Sequence, residues 1–154
     1  MNWDTPYFAV VGALLAVAGA FGAVLGLTGG TLSLGPVAIG GTYAIWWGPV
    51  LVAAGGFMLK AVTGEITTRE DEALVFMGSL MVWIVGGTDI LSILLGAIPG
   101  GPDVWLASPG AFLTAIGPAY PPAVLGVFLT LPAFRYAEND VRTILGRLVG
   151  RNGE

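Results

Sequence analysis

Long apolar segments, separated by short polar ones, dominate the hydrophobic pattern of this chain. Four of them carry almost no charge, and each is long enough for a helix that crosses the bilayer core, which needs about 20 apolar residues. They cover residues 7–28, 36–62, 74–98 and 111–134. We therefore predict an all-α integral membrane protein, in which residues 1–134 form a four-transmembrane-helix bundle.

The remaining residues, 135–154, follow a different pattern. Apolar side chains recur there at helical spacing, at positions 141, 144, 145, 148 and 149, and arginines lie between them. This arrangement predicts a C-terminal amphipathic helix on the cytoplasmic face of the membrane.

The first segment contains small residues at four-residue spacing. One series is Gly12, Ala16 and Ala20, and the other is Gly22, Gly26 and Gly30. Small residues at this spacing let two helix backbones approach closely in a membrane. We predict that one of the two faces packs against another helix. The alternative is that glycine and alanine are simply frequent in this segment.

Prolines lie inside the second and fourth segments. Pro49 removes a backbone hydrogen bond from the second segment and is expected to kink it. Pro118, Pro121 and Pro122 fall in the middle of the fourth, where the helix has to bend or open. Broken membrane helices can form substrate sites; a simple kink is the alternative interpretation.

The connection over residues 63–73 is the only strongly charged one between the segments. Glu70, Asp71 and Glu72 stand directly before the third segment, where carboxylates favour the positive end of the helix dipole. Their spacing matches no EF-hand calcium loop. We therefore expect a solvated helix start and no metal site.

All the basic side chains fall on one side of the predicted bundle. Four spans place both termini on the same side as the connection over residues 63–73. The basic residues there are Lys60, Arg69, Arg135, Arg142, Arg147 and Arg151. Because cytoplasmic loops are enriched in Lys and Arg, we predict a multi-pass protein of the cell membrane with both termini in the cytoplasm.

Composition supports membrane insertion and argues against several kinds of chemistry. The chain is 55% hydrophobic and 10% charged, whereas soluble domains are about 25% charged, and it has no Cys and no His. It lacks the GxxxxGK[ST], HExxH and GxSxG motifs. We expect no enzyme activity and no cofactor.

Ten acidic residues against six basic ones also disfavour a nucleic-acid partner. The acidic, Lys-poor balance resembles that of proteins from extreme halophiles.

One ionisable side chain, Asp89, lies inside a predicted span. At about 1.5 Å per residue, it has a depth similar to those of several polar and aromatic side chains. These are Thr42, Tyr43, Trp46, Trp47, Thr88 and Tyr120. No basic residue lies at that depth to pair with it. We expect Asp89 to be protonated, to be hydrogen-bonded by Tyr120 or an indole, or to face a partner chain.

Two function classes are compatible with this pattern. The first is a structural or interaction component of a membrane assembly, whose partners are the lipid bilayer and other membrane subunits or further copies of itself. The second is a subunit of a proton- or cation-linked channel or transporter that uses Asp89. The sparse polarity within the spans favours the first class.

Overall fold

The computed structural model describes residues 3–64, 66–96, 117 and 120–137. Within these residues the protein is mostly helical. The helices are α1 (Asp4–Thr28), α2 (Ala44–Ala61), α3 (Arg69–Gly96) and α4 (Pro122–Thr130). A 3₁₀ turn at Val62–Gly64 follows α2, and another at Leu131–Ala133 follows α4 before helix resumes over residues 134–137.

Three of these helices, α1, α2 and α3, are long and apolar enough to cross a membrane by length and composition. The apolar helix that contains α4, Pro122–Ala137, is shorter. The fourth predicted span starts at residue 111, and residues 111–116 lie outside the described part of the chain. The predicted amphipathic helix, beyond residue 137, also lies outside it.

The second predicted span is wrong at its beginning, because residues 36–43 are not helical. Two short strands, β1 (Thr31–Leu34) and β2 (Val37–Gly40), form an antiparallel hairpin there. Gly35, with a φ of 57°, and Pro36 make its two-residue turn. A positive φ at the first central residue is the geometry of a type II′ turn, which hairpins favour. Gly41 has a φ of 77°, so right-handed helix begins only after it.

The hairpin is also bonded to the chain that leads into α4. The backbone N–H of Ala38 donates to the Tyr120 carbonyl at 3.0 Å, and the N–H of Tyr120 donates to the Pro36 carbonyl at 2.7 Å. Tyr120 thereby forms a parallel bridge with Val37. The connection between α1 and α2 is tied in this way to the start of α4, and Ile39 of β2 is buried in the common core.

The helices pack in chain order. α1 makes its most extensive contact with α2, α2 packs on α3, α3 packs on α4, and α4 returns to α1 through a lighter contact. The largest apolar side chains without solvent exposure are Phe8, Leu51, Met58, Val75 and Val82. Large apolar side chains also cover the outside of the bundle, as expected for a surface that faces lipid.

Candidate functional site

Glycines bring the backbones of α1 and α2 into direct contact. A Cβ atom added to Gly19 would lie 2.5 Å from the Gly48 carbonyl oxygen, and one added to Gly55 would lie 2.4 Å from the Gly12 carbonyl oxygen. Both distances are far below the 3.4 Å at which ordinary contact begins. Only glycine therefore fits at these crossing points without a shift of the helices.

This contact uses members of both predicted small-residue series. Gly12 and Ala16 touch Gly55, and Gly26 packs on Ile45, whereas Ala20 is exposed. The repeated spacing in the contact is seven residues, through Gly12, Gly19 and Gly26. A seven-residue repeat keeps one seam facing a neighbouring helix, whereas a strict four-residue repeat drifts around the helix. Gly19 therefore belongs to neither of the two predicted four-residue series.

The adjacent tryptophans of α2 face opposite surroundings. Trp47 is 4% exposed, and its ring lies over Gly22, where an added Cβ would be 2.5 Å from the indole Cη2 atom. Trp46 is 76% exposed. Because consecutive helix residues are about 100° apart around the axis, one indole fills the contact with α1 and the other points outward from the bundle.

Asp89 lies inside the bundle near the start of α4. It is 8% exposed. Gly86, three residues earlier on α3, packs so closely on α4 that an added Cβ would be 2.5 Å from the Ala123 carbonyl oxygen. The bond from Trp83 to Thr130 shows that the two helices run in opposite directions. Asp89 is therefore about one helical turn beyond the Gly86 contact, level with the beginning of α4.

Three polar or charged side chains are buried in the described part of the chain: Ser79, Asp89 and Thr130. The Ser79 hydroxyl donates to the Val75 carbonyl at 2.8 Å, and the Thr130 hydroxyl donates to the Gly126 carbonyl at 2.8 Å. The Oδ2 atom of Asp89 is buried without a hydrogen-bond partner among the described residues. A buried acceptor of this kind is unfavourable unless something else satisfies it.

The other members of the predicted polar layer lie in different surroundings. Thr42 and Tyr43 are exposed. Thr88 is also exposed, and its hydroxyl donates to the Val85 carbonyl of its own helix at 2.7 Å. Tyr120 lines an apolar cavity of about 340 Å³ between α3 and α4, beside Ile90 and other aliphatic side chains. Side chains of similar predicted depth thus differ in exposure, with Asp89 buried and Thr42, Tyr43 and Thr88 exposed.

A contact between α3 and α4 that sequence reasoning missed is centred on Trp83. Its indole N–H donates to the Thr130 hydroxyl at 2.8 Å. Its ring stacks on Phe134 with centroids 4.1 Å apart, and Phe76 meets it edge-on at 5.9 Å. The available signal was an indole in the middle of an apolar span, because a buried tryptophan N–H needs an acceptor.

Polar side chains join the first turn of α1 to the helical residues after α4. Arg135 forms an ion pair with Asp4, and the Tyr136 hydroxyl donates to Asp4 Oδ2 at 3.0 Å. The guanidinium carbon of Arg135 lies 5.3 Å from the Tyr136 ring centre. Burial, and then the bond to Asp4, raise the pKa of Tyr136 to about 12. The sequence analysis did not predict this cluster, because Asp4 and Tyr136 are 132 residues apart in the chain.

The acidic residues before the third span cap a helix. The Thr68 N–H donates to Asp71 Oδ2 at 3.3 Å, and the Asp71 N–H donates to the Thr68 hydroxyl at 3.2 Å. This reciprocal pair is a capping box at the start of α3. Within the described ranges no group of three or more acidic side chains is arranged to hold a metal ion.

No family model, curated protein or solved structure matches the chain. The class of protein therefore rests on the molecule's own features, which are three helices long and apolar enough to span a membrane and a shorter apolar helix packed against them.

Proposed function

We propose that this protein is a four-span component of the cell membrane, with both termini in the cytoplasm, whose role is structural: it packs against other membrane subunits or further copies of itself. The observation that carries this proposal is direct backbone contact between the described helices, at Gly19 and Gly55 between α1 and α2 and at Gly86 between α3 and α4. Permeation needs a polar or water-filled path, and tight contact of this kind leaves little room for one.

Asp89 has a specific place in this proposal. Its buried Oδ2 has no hydrogen-bond partner in the described ranges, so a donor from a partner subunit is one way to satisfy it. Polar bonds between membrane helices contribute about 1 kcal/mol each. Asp89→Asn keeps the size and most of the bonding capacity of the side chain, whereas Asp89→Leu removes the bonding capacity and leaves any partner donor unpaired. We expect association with partner subunits to survive the first change and to weaken with the second.

The burial of Asp89 also supports a second candidate function, that of a subunit of a proton- or cation-linked channel or transporter. A carboxyl group inside the membrane region is the group that such proteins use to carry a proton or to coordinate a cation. In this case the ability of Asp89 to ionise is the function. Asp89→Asn then abolishes flux even though the protein remains folded.

Flux measurements in proteoliposomes separate the two candidates. Proton and sodium fluxes are compared for the wild-type protein, Asp89→Asn and empty liposomes, with Ser79→Ala as a control because Ser79 is the other buried polar residue of α3. The structural proposal expects no flux above the empty liposomes from any variant. Flux in the wild type and in Ser79→Ala that disappears in Asp89→Asn would overturn it in favour of the second candidate.

Reporter fusions test the orientation. One reporter follows Glu154 and another is inserted within residues 99–110, which the positive-inside rule places on opposite sides of the membrane. Activity of both reporters on the same side contradicts the four-span arrangement.

A further inference from the structure

A groove runs along the outer surface of the bundle between α1 and α4. It has a volume of about 610 Å³. Its apolar walls are formed by Val10, Val11 and Leu14 from α1, and by Leu129 and Pro132 from the opposite side. Val10 and Leu14 are exposed in the described part of the chain, so acyl chains of a surrounding bilayer can reach the groove there.

The groove changes character at one end. This end of the groove is lined by polar and aromatic side chains, which are Trp3, Asp4, Tyr7 and Arg135. The Tyr7 hydroxyl donates across the groove to the Leu129 carbonyl at 2.7 Å, which holds its two walls together. Trp and Tyr side chains concentrate where a bilayer changes from acyl chains to headgroups. The groove therefore presents the same order of surfaces as a phospholipid molecule, with an apolar body and a polar end.

Arg135 supplies hydrogen-bond donors for an anionic group at the polar end. Both oxygens of the Asp4 carboxylate are engaged within the protein, Oδ1 by Arg135 and Oδ2 by the Tyr136 hydroxyl. The Arg135 side chain remains 49% exposed, and a guanidinium has five N–H donors. Because Arg135 is half-exposed and has more donors than its ion pair with Asp4 uses, its guanidinium can also reach a phosphate oxygen at the mouth of the groove.

We propose that this groove is a binding site for one phospholipid molecule, with the headgroup phosphate on Arg135 and an acyl chain between α1 and α4. Trp3 and Tyr7 lie beside the glycerol region of the bound lipid. The site is independent of Asp89 and of either function discussed above.

Binding is measured on the full-length protein by native mass spectrometry from detergent. The probes are phosphatidylglycerol and a diacylglycerol with the same acyl chains, which lacks the phosphate. We expect saturable binding of one phosphatidylglycerol and at least about tenfold weaker binding of diacylglycerol, because a charge-assisted bond to phosphate is lost. Equal binding of the two lipids would overturn the proposal.

Two variants separate lipid binding from the internal ion pair. Arg135→Gln and Asp4→Asn both break that pair, but only the first removes the phosphate ligand. We expect Arg135→Gln to weaken phosphatidylglycerol binding about tenfold, and Asp4→Asn to keep or strengthen it. Arg147→Gln removes the same charge from the tail and is expected to have no such effect. Equal losses in Arg135→Gln and either of the other two variants would overturn the proposal.

A third comparison tests the apolar part without altering any charge. Leu14→Trp fills the groove, whereas Val17→Trp adds the same bulk to a neighbouring exposed position that does not line it. Binding is expected to fall in the first variant and to remain in the second. Unchanged binding in Leu14→Trp would show that the lipid lies elsewhere, even if Arg135→Gln failed to fold.

Discussion

The contact between α1 and α2 makes a sharp prediction for two neighbouring glycines of α2. An alanine at position 55 would place its Cβ 2.4 Å from the Gly12 carbonyl oxygen and 2.7 Å from the Ala16 backbone nitrogen. Both obstacles are backbone atoms, which cannot rotate away as a side chain can. An alanine at position 56 would have no neighbouring atom within 4 Å.

The expected magnitude follows from this geometry. The Cβ of Gly55→Ala is about 1 Å too close to the Gly12 oxygen for ordinary contact, so α1 and α2 have to separate, with a loss of dispersion along the whole contact. Overpacking of this kind destabilises by about 1–3 kcal/mol. The intrinsic preference of alanine over glycine in a helix, up to about 1 kcal/mol, applies to both variants. The difference between their free energies of unfolding therefore isolates the steric contribution.

The assay is reversible unfolding in mixed micelles of increasing SDS fraction, followed by far-ultraviolet circular dichroism. Gly55→Ala is expected to unfold with a free energy about 1–3 kcal/mol below that of Gly56→Ala. Tryptophan fluorescence should report the same transition, because Trp47 lies in the contact between α1 and α2. Free energies equal within about 0.5 kcal/mol would refute the direct backbone contact described here.

Two further predictions concern aromatic side chains that donate hydrogen bonds, Trp83 and Tyr136. Trp83→Phe removes the indole N–H and leaves the Thr130 hydroxyl bonded only to its own helix. We therefore expect the same SDS titration to show a free energy of unfolding about 1 kcal/mol lower than that of the wild type. An unchanged free energy of unfolding would contradict a contribution of this bond to folding. The raised pKa of Tyr136 means that the folded protein holds the phenol proton more tightly than the unfolded chain, whose pKa is near 10.0. The resulting stability is present below pH 10 and is lost as the pH rises through about 12, and Tyr136→Phe should reduce the fall in thermal stability over that interval; an identical pH profile would count against it.

The helices could be predicted from sequence because their causes are local. Uninterrupted apolar stretches satisfy their own backbone hydrogen bonds as helices, and this places α1 and α3 within a few residues of their observed ends. The hairpin could not be predicted in this way. Residues 36–43 are apolar enough to continue a span, but Gly41 takes a positive φ and β2 bonds to Tyr120, more than 80 residues away in the chain. A partner at that distance leaves no trace in a local pattern.

The individual sites show the same difference between features with local causes and features that depend on distant partners. The sequence predicted that glycines would let two helices meet and that Asp89 would stand out in an apolar span. Only the tertiary structure decided which glycines meet, since this depends on how α1 and α2 cross. The fold likewise pairs Asp4 with Arg135 and leaves Thr88 and Tyr43 exposed while Asp89 is buried. Depth in a membrane follows from position in the chain, whereas contact depends on the rotation of each helix about its axis, which packing against its neighbours sets.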